Sequence, residues 1–288
     1  MSLIAQAFRP MGSNRVDPVL VALWSLLIFI AALWLAPFAF IILTSVKSNA
    51  GVLGGSPFAL PDPAVVANYP AAWGRGNFST TVLNSAIISA IKVPLGLFLS
   101  AMAAYALACV PMRWGKVLFL LVVFGTMIPF QVMLAPIFRQ VKAFGLIDTY
   151  PGIILPYLAF GVPYQVFILH SFFAAVPKEL SEAARIDGAS HFTVFRRIFL
   201  PVSLPVLAAL LIIDFVATWN EFAMALVILQ DPDRWTLPLG LMSFRSQFTS
   251  DYGQLNAAVV MTVLPAAIVY LMFQRYFVAG LTTGAVKE

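Results

Sequence analysis

A chain of 288 residues that is 61% hydrophobic and 10% charged, with a mean hydropathy of +0.93, lies far outside the range of water-soluble domains and is expected to be solvated by lipid. Its one cysteine, Cys109, excludes a disulfide framework within the chain and any cysteine-based zinc site, and the isolated His170 and His191 have no metal-ligand spacing, so no metal site is expected. The formal charge of +5 would suit nucleic acid, but the basic residues fall between apolar stretches, which ties them to membrane topology and anionic lipid.

Residues 1–17 read as a short polar leader carrying Arg9 and Arg15. Pro18 to Val46 is free of charge and far longer than the roughly 7–15 apolar residues of a signal peptide, so a retained transmembrane helix is expected over about 19–46. Lys47 to Phe78 is broken by Gly51, Gly54, Gly55, Pro57, Pro61, Pro63 and Pro70 and reads as a loop with one short surface helix. A second span is expected over 79–109, with Lys92 and Pro94 inside it. An intramembrane lysine costs at least ~2.5 kcal/mol on insertion scales, so Lys92 should face a cavity or a partner. The third span is expected over 117–138, with kinks at Pro129 and Pro136. The fourth covers 150–176, is entered through Pro151, and bends around Pro156 or Pro163. A charged loop at 177–200 separates it from the fifth span, 203–229, which carries Asp214 and Glu221. A polar loop at 230–254 leads to the sixth span, 255–276, and residues 281–288 form a tail. The reading is an all-α membrane protein, with one six-span domain over 18–280.

Six spans put both termini on one side. Placing them in the cytoplasm gives the inner segments ten basic residues, Arg9, Arg15, Arg113, Lys116, Lys178, Arg185, Arg196, Arg197, Arg275 and Lys287. The outer segments then hold six, Lys47, Arg75, Arg139, Lys142, Arg234 and Arg245, with Lys92 remaining in the membrane. That excess favours cytoplasmic termini and a cytoplasmic 177–200 loop. No internal repeat is visible, which counts against a secondary transporter built from two related halves; a lone six-helix unit implies a partner subunit. Gly115-Lys116 is followed by Val117 and lacks the glycine-rich approach of a nucleotide loop, and neither Gly-x-Ser-x-Gly nor His-Glu-x-x-His occurs, so no catalytic residue is expected.

The 177–200 loop concentrates charge: Lys178, Glu179, Glu182, Arg185, Asp187, Arg196 and Arg197. Pro177 suits a helix start, Glu179 and Glu182 lie near its N-terminal end, and Gly188 stands where a left-handed residue would close it, which predicts a short helix over Lys178 to Asp187. Leu180, Ala183 and Ala184 give it a narrow face able to enter a groove of another protein. Ser190 is expected to cap a second turn that sets Phe192, Phe195 and Phe199 toward the apolar bulk, before Pro201 and Pro205 mark membrane re-entry. From charge alone, an ordinary loop that stops the chain crossing back explains the stretch equally well.

Glu182-Ala183-Ala184-(x)2-Asp187-Gly188-Ala189, followed by Phe195, Ile198, Leu200-Pro201 and Pro205, resembles the EAA motif of ABC-importer permeases over about 25 consecutive residues. Gly280-Leu281-Thr282-x-Gly284-Ala285-Val286-Lys287 resembles the tail of the second, maltose-type permease of carbohydrate importers, and Trp219-Asn220-Glu221-Phe222 is similar to a segment common in that subfamily. Lys92, where a neutral residue is expected, and a first loop too short for an extra periplasmic domain depart from the pattern. The resemblance implies the six-helix type I ABC importer permease fold, with a coupling helix between spans four and five. It also implies that Glu182, Ala183, Ala184, Asp187, Gly188, Ala189, Phe195, Leu200 and Pro201 dock an ATPase subunit, and that Gly284, Ala285, Val286 and Lys287 make a second contact to it. Implied partners are two ATPase subunits or domains that bind ATP and Mg, a second homologous permease and an extracytoplasmic solute-binding protein, with no cofactor in this chain. The setting implied is the bacterial cytoplasmic membrane.

Asp214, Thr218 and Glu221 recur at helical spacing and predict a polar face on span five; an ion pair between Lys92 and Asp214 would lower the cost of both. Two uses fit these groups. They satisfy packing within a permease pair, or Asp214, Trp219, Asn220 and Glu221, with Lys92, line a solute path. Two rival functions share the layout: import of a glycerol-phosphate ester, polyol or amino acid, and ATP-independent transport or conduction.

Overall fold

The computed structural model describes residues 18–244 and 251–285, with side chains described as far as Gln274. The leader with Arg9 and Arg15, and Val286 and Lys287 of the tail, lie outside the described residues. No strand occurs among the described residues. Among the described residues four helices are long and apolar enough to cross a membrane, and six spans result if each of two bent helix pairs counts as one.

Two compact units divide the described chain: residues up to Tyr69 with Asp251–Val260, and residues from Pro70 to Phe244 with Met261 onward. The first unit opens with α1 (Pro18–Ser45), whose apolar side chains are exposed over most of its length, as suits a helix facing lipid or another subunit. Below it the chain is tied by polar groups. The amide of Asn68 donates to the carbonyls of Ser45 and Lys47, both at 2.9 Å, and the buried Lys47 ammonium donates to the carbonyls of Ser56 and Pro57 at 3.2 and 3.0 Å. Short helix α2 (Asn49–Gly54) is capped by the Ser48 hydroxyl, which accepts from Gly51 N at 3.1 Å. A further helix, α3 (Asn68–Arg75), follows, so the loop expected to hold one helix holds two.

In the second unit α4 (Phe78–Cys109) and α7 (Tyr150–Ala175) pack along each other. Val93, Leu97, Ala101 and Tyr105 fall four apart, one helical stripe, against Val166, Leu169 and Phe173. The Tyr105 ring closes this core against Phe195 and Phe199 at 5.4 and 5.0 Å. A second core, at the other end of α4 and α7, joins Ile88, Ile153, Tyr157 and Leu158 to Met224 and Ile228.

Two expected spans are not single helices. Residues expected as span three form α5 (Gly115–Phe124), one 3-10 turn (Gly125–Met127) and α6 (Phe130–Ala143), with a 99° bend. Pro129 explains the break: it lacks an N–H and forces Ile128 out of the helical region, to φ −79°, ψ 118°. Residues expected as span five form α11 (Leu204–Trp219) and α12 (Ala223–Ile228), separated by Asn220, Glu221 and Phe222. Asp214 and Glu221 therefore do not share one helix face.

Candidate functional site

The charged loop builds α8 (Lys178–Ile186), with Glu179 in its first turn and Arg185 in its last, both favourable to the helix dipole. It ends in a Schellman closure: Ala189 N donates to Ala184 O and Gly188 N to Arg185 O, both at 3.0 Å, while Gly188 takes φ +82°. Nothing lies within 4 Å of where a Gly188 Cβ would stand, so the backbone conformation alone demands glycine there. On α8 Glu182 and Ala183 are exposed, as are two apolar side chains, Leu180 at 46% and Ile186 at 86%. Ile186 is not among the docking residues expected from the sequence. Beside this helix lies a groove of about 640 Å³ lined by Ala184, Asp187, Gly188, Ala189, Ser190 and Arg197, among others.

Ser190 caps α9 (His191–Val194), its hydroxyl accepting from Thr193 N at 3.2 Å. The chain then widens into a π-helical turn, Phe195–Phe199, before α10 (Leu200–Val202) and a 75° bend into α11. Phe195 and Phe199 are buried in the core, so Phe195 holds the loop from beneath and is no part of its surface. Phe192, expected to point inward, is 56% exposed, with its ring against Phe195 at 6.2 Å. Leu200 is half-buried and Pro201 exposed at the bend. Of the tail positions, Gly284 and Ala285 are the last residues of α13 (Tyr252–Ala285).

A second site lies among α4, α6, α7, α11 and the start of α12. A cavity of about 350 Å³ is lined by Lys92, Phe130, Tyr157, Phe160, Gly161, Tyr164, Gln165, Asp214, Thr218 and Glu221, with apolar neighbours. Lys92 and Asp214 are both buried and form an ion pair across it, which answers the expectation that Lys92 faces a cavity or a partner. Gly161 of α7 makes room for the pair: a Cβ there would stand 2.9 Å from Lys92 Nζ and 3.3 Å from Asp214 Oδ1. Glu221 serves the chain break. Its carboxylate accepts from Met224 N at 2.8 Å and Ala225 N at 3.1 Å, capping α12, and from the Tyr157 hydroxyl at 2.5 Å. Asp214, Thr218, Glu221 and Lys92 are thus brought together around one cavity.

Trp219 and Asn220 are not. Trp219 is buried against the Phe215 ring at 5.4 Å, its indole N–H donating to Thr262 O at 3.1 Å, and the Asn220 amide folds back onto Val216 O at 3.0 Å. The α7 residues of the cavity escaped sequence reasoning, although Gln165 left a signal as a polar side chain alone in an apolar run. Its Oε1 accepts from Ser100 Oγ at 2.8 Å.

Residues 96–282, which include the loop site and all of the cavity site except Lys92, match the family described as binding-protein-dependent transport system inner membrane component. The chain belongs to that family. This inner membrane component is 35% identical over 274 residues to the diacetylchitobiose uptake system permease protein NgcG of Streptomyces coelicolor, covering 94% of this chain and 88% of that protein. It is 37% identical over 262 residues to the arabinooligosaccharides transport system permease protein AraQ of Halalkalibacterium halodurans, covering 90% and 93%. A chain in the crystal structure of a bacterial ABC transporter involved in import of the polysaccharide alginate superposes with a TM-score of 0.80 at 24% identity, covering 93% of this chain and all of that one. The fold is therefore that of an ABC-importer permease.

Proposed function

We propose that the chain is the permease subunit of an ATP-driven importer for a sugar or sugar derivative, which it passes across the bacterial inner membrane by alternating access. The observation that carries the reading is α8: a short, glycine-closed helix with exposed Leu180 and Ile186, set between two apolar helices of a transport-system inner membrane component. A charged loop that merely stops translocation has no use for exposed apolar side chains on a capped helix; a helix that seats in a partner's groove does. The partner is an ATPase subunit pair, which binds ATP and Mg and performs the hydrolysis, while this chain holds no cofactor and no catalytic residue. Both termini lie in the cytoplasm, where residues 284–287 make a second contact to the ATPase pair. A second, homologous permease completes the membrane passage, and an extracytoplasmic binding protein delivers the solute.

The connection between the two sites suggests how the drive is passed on. ATPase closure moves α8 as a rigid body; α9, the π turn and α10 carry that motion through the bend at Ser203 into α11, which holds Asp214 at the cavity. The names of the similar permeases, diacetylchitobiose and arabinooligosaccharide systems, support a carbohydrate solute.

The test is uptake by the reconstituted importer in liposomes, with diacetylchitobiose, arabinotriose, maltose, glycerol 3-phosphate, glycerol and glutamine as the panel. Uptake of a sugar that stops without ATP or without the ATPase subunits is the expected result. Uptake at full rate with neither would overturn the ATP-driven reading, and transport confined to the last three solutes would overturn the carbohydrate one.

A further inference from the structure

We infer that this subunit itself carries a hydroxyl-binding subsite in its cavity, made of Asp214 Oδ2 as acceptor and Gln165 Nε2 as donor, and that the hydroxyl it takes belongs to the transported sugar. The inference rests on the carbohydrate reading above and deepens it.

Gln165 is 1% exposed and Asp214 8%, both line the same cavity, and among the described residues neither Asp214 Oδ2 nor Gln165 Nε2 has a hydrogen-bond partner. The opposite end of each side chain is committed. Asp214 Oδ1 is held by Lys92, and Gln165 Oε1 by Ser100. A buried acceptor or donor without a partner costs about 1–3 kcal/mol, so each atom calls for an occupant with the complementary group.

The rest of the wall selects the chemistry. Glu221 already accepts from Tyr157, Met224 and Ala225, so three of its acceptor positions are taken by the fold. Lys92 neutralises Asp214, which leaves the cavity without a net charge from the pair. An anion would meet the bare carboxylate oxygen of Asp214, and a cation would meet the ammonium of Lys92 and the amide donor of Gln165. A hydroxyl suits both atoms at once, because it accepts from Gln165 Nε2–H while donating its own hydrogen to Asp214 Oδ2. Water has the same chemistry, but a bound water would leave the discrimination among sugar analogues unchanged when either atom is removed. The rings of Phe130, Tyr157, Phe160 and Tyr164 add the apolar faces on which a sugar ring lies.

The experiment uses the complete reconstituted importer, the panel sugar it transports fastest, and the set of monodeoxy analogues of that sugar. Wild type should reject one analogue by about tenfold in kcat/KM relative to the parent sugar, the worth of one net hydrogen bond. Gln165→Leu, which removes the donor, should transport the parent about tenfold more slowly and distinguish it less from that analogue, with only the Asp214 acceptor left. Lys92→Met with Asp214→Leu, which removes the acceptor without stranding a charge, should flatten discrimination at the same hydroxyl and provides the readout should Gln165→Leu fail to assemble. If both variants keep wild-type discrimination among all analogues, the pair binds water or serves only packing, and the subsite is refuted while carbohydrate import stands. Failure of wild type to import any sugar of the panel would overturn the carbohydrate reading and the subsite with it.

Discussion

The ion pair between Lys92 and Asp214 gives the sharpest test of how this molecule tolerates charge in its membrane domain. Both residues are buried, on α4 and α11, and the space for them is kept by Gly161 on α7. Lys92→Met would leave the Asp214 carboxylate without its cation in a space it shares with the Glu221 carboxylate, and breaking a buried pair from one side costs about 3–5 kcal/mol. Insertion scales give a similar lower bound, ~2.5–3.5 kcal/mol for a lone acid at mid-membrane. Asp214→Leu should cost as much, since it strands the ammonium. The double variant removes both desolvation penalties and refills the volume, so its cost should be within about 1 kcal/mol of zero. For a domain of this size ~3 kcal/mol corresponds to roughly 6–12 °C in Tm, well resolved by thermal unfolding of the purified complex at fixed scan rate. The expected pattern is two strongly destabilised single variants and a nearly native double. Additive losses in the double variant would show that the two charges do not act as a unit, and the account of Lys92 as a residue admitted only by its partner would be wrong.

Three further perturbations separate the roles assigned above. Gly188→Val forces a β-branched residue into φ +82° at about 1–2 kcal/mol or more, and should leave the chain in the membrane while abolishing sugar-stimulated ATPase activity and uptake; normal uptake would sink the docking assignment of α8. Tyr157→Phe removes a donor to the Glu221 carboxylate and should cost ~1.5–3 kcal/mol in unfolding, while Glu221→Gln, which cannot satisfy all three donors, should cost at least as much with ATPase docking intact; loss of complex assembly in Glu221→Gln would contradict its local capping role. Asp148, at φ +58°, accepts from Gln230 N and Asp231 N, at 2.5 and 2.9 Å, and so pins the segment after α12; Asp148→Ala should speed hydrogen exchange at those two amides at least tenfold, whereas Asp148→Asn, which tolerates the left-handed backbone and keeps an acceptor, should change it far less.

The long apolar runs and the docking helix were readable because each depends on local rules. An uncharged stretch of span length, a proline before a helix, and a glycine where a left-handed residue is required act within a few residues of themselves. The prediction of α8 and of its closure at Gly188 needed nothing from elsewhere in the chain. Breaks inside spans were less legible. Pro129 announced a kink but not a 99° turn, and nothing in Trp219-Asn220-Glu221-Phe222 says that a helix stops there and restarts at Ala223. That break depends on Tyr157, 64 positions away, which helps hold the Glu221 carboxylate over the new helix start.

The cavity shows the same division more severely. Helical spacing placed Asp214 and Glu221 on one face, and the structure does bring both to one cavity, but by a route that spacing does not describe: Asp214 from within α11, Glu221 from the break beyond it. The solute-path reading, which looked for an aromatic ring flanked by hydrogen-bonding groups on span five itself, credited Trp219 and Asn220 with the position that Tyr157, Phe160, Tyr164 and Gln165 of α7 occupy. What a single helix lacks is its neighbour. Lys92 could be read as needing a partner because an intramembrane ammonium has few alternatives, and the energetic demand survives ignorance of the fold. Gln165 makes a weaker demand, one amide that a nearby hydroxyl could have satisfied entirely; only with Ser100 seen to occupy its carbonyl oxygen, and Lys92 to occupy one oxygen of Asp214, does the remaining donor and acceptor become a chemical specification.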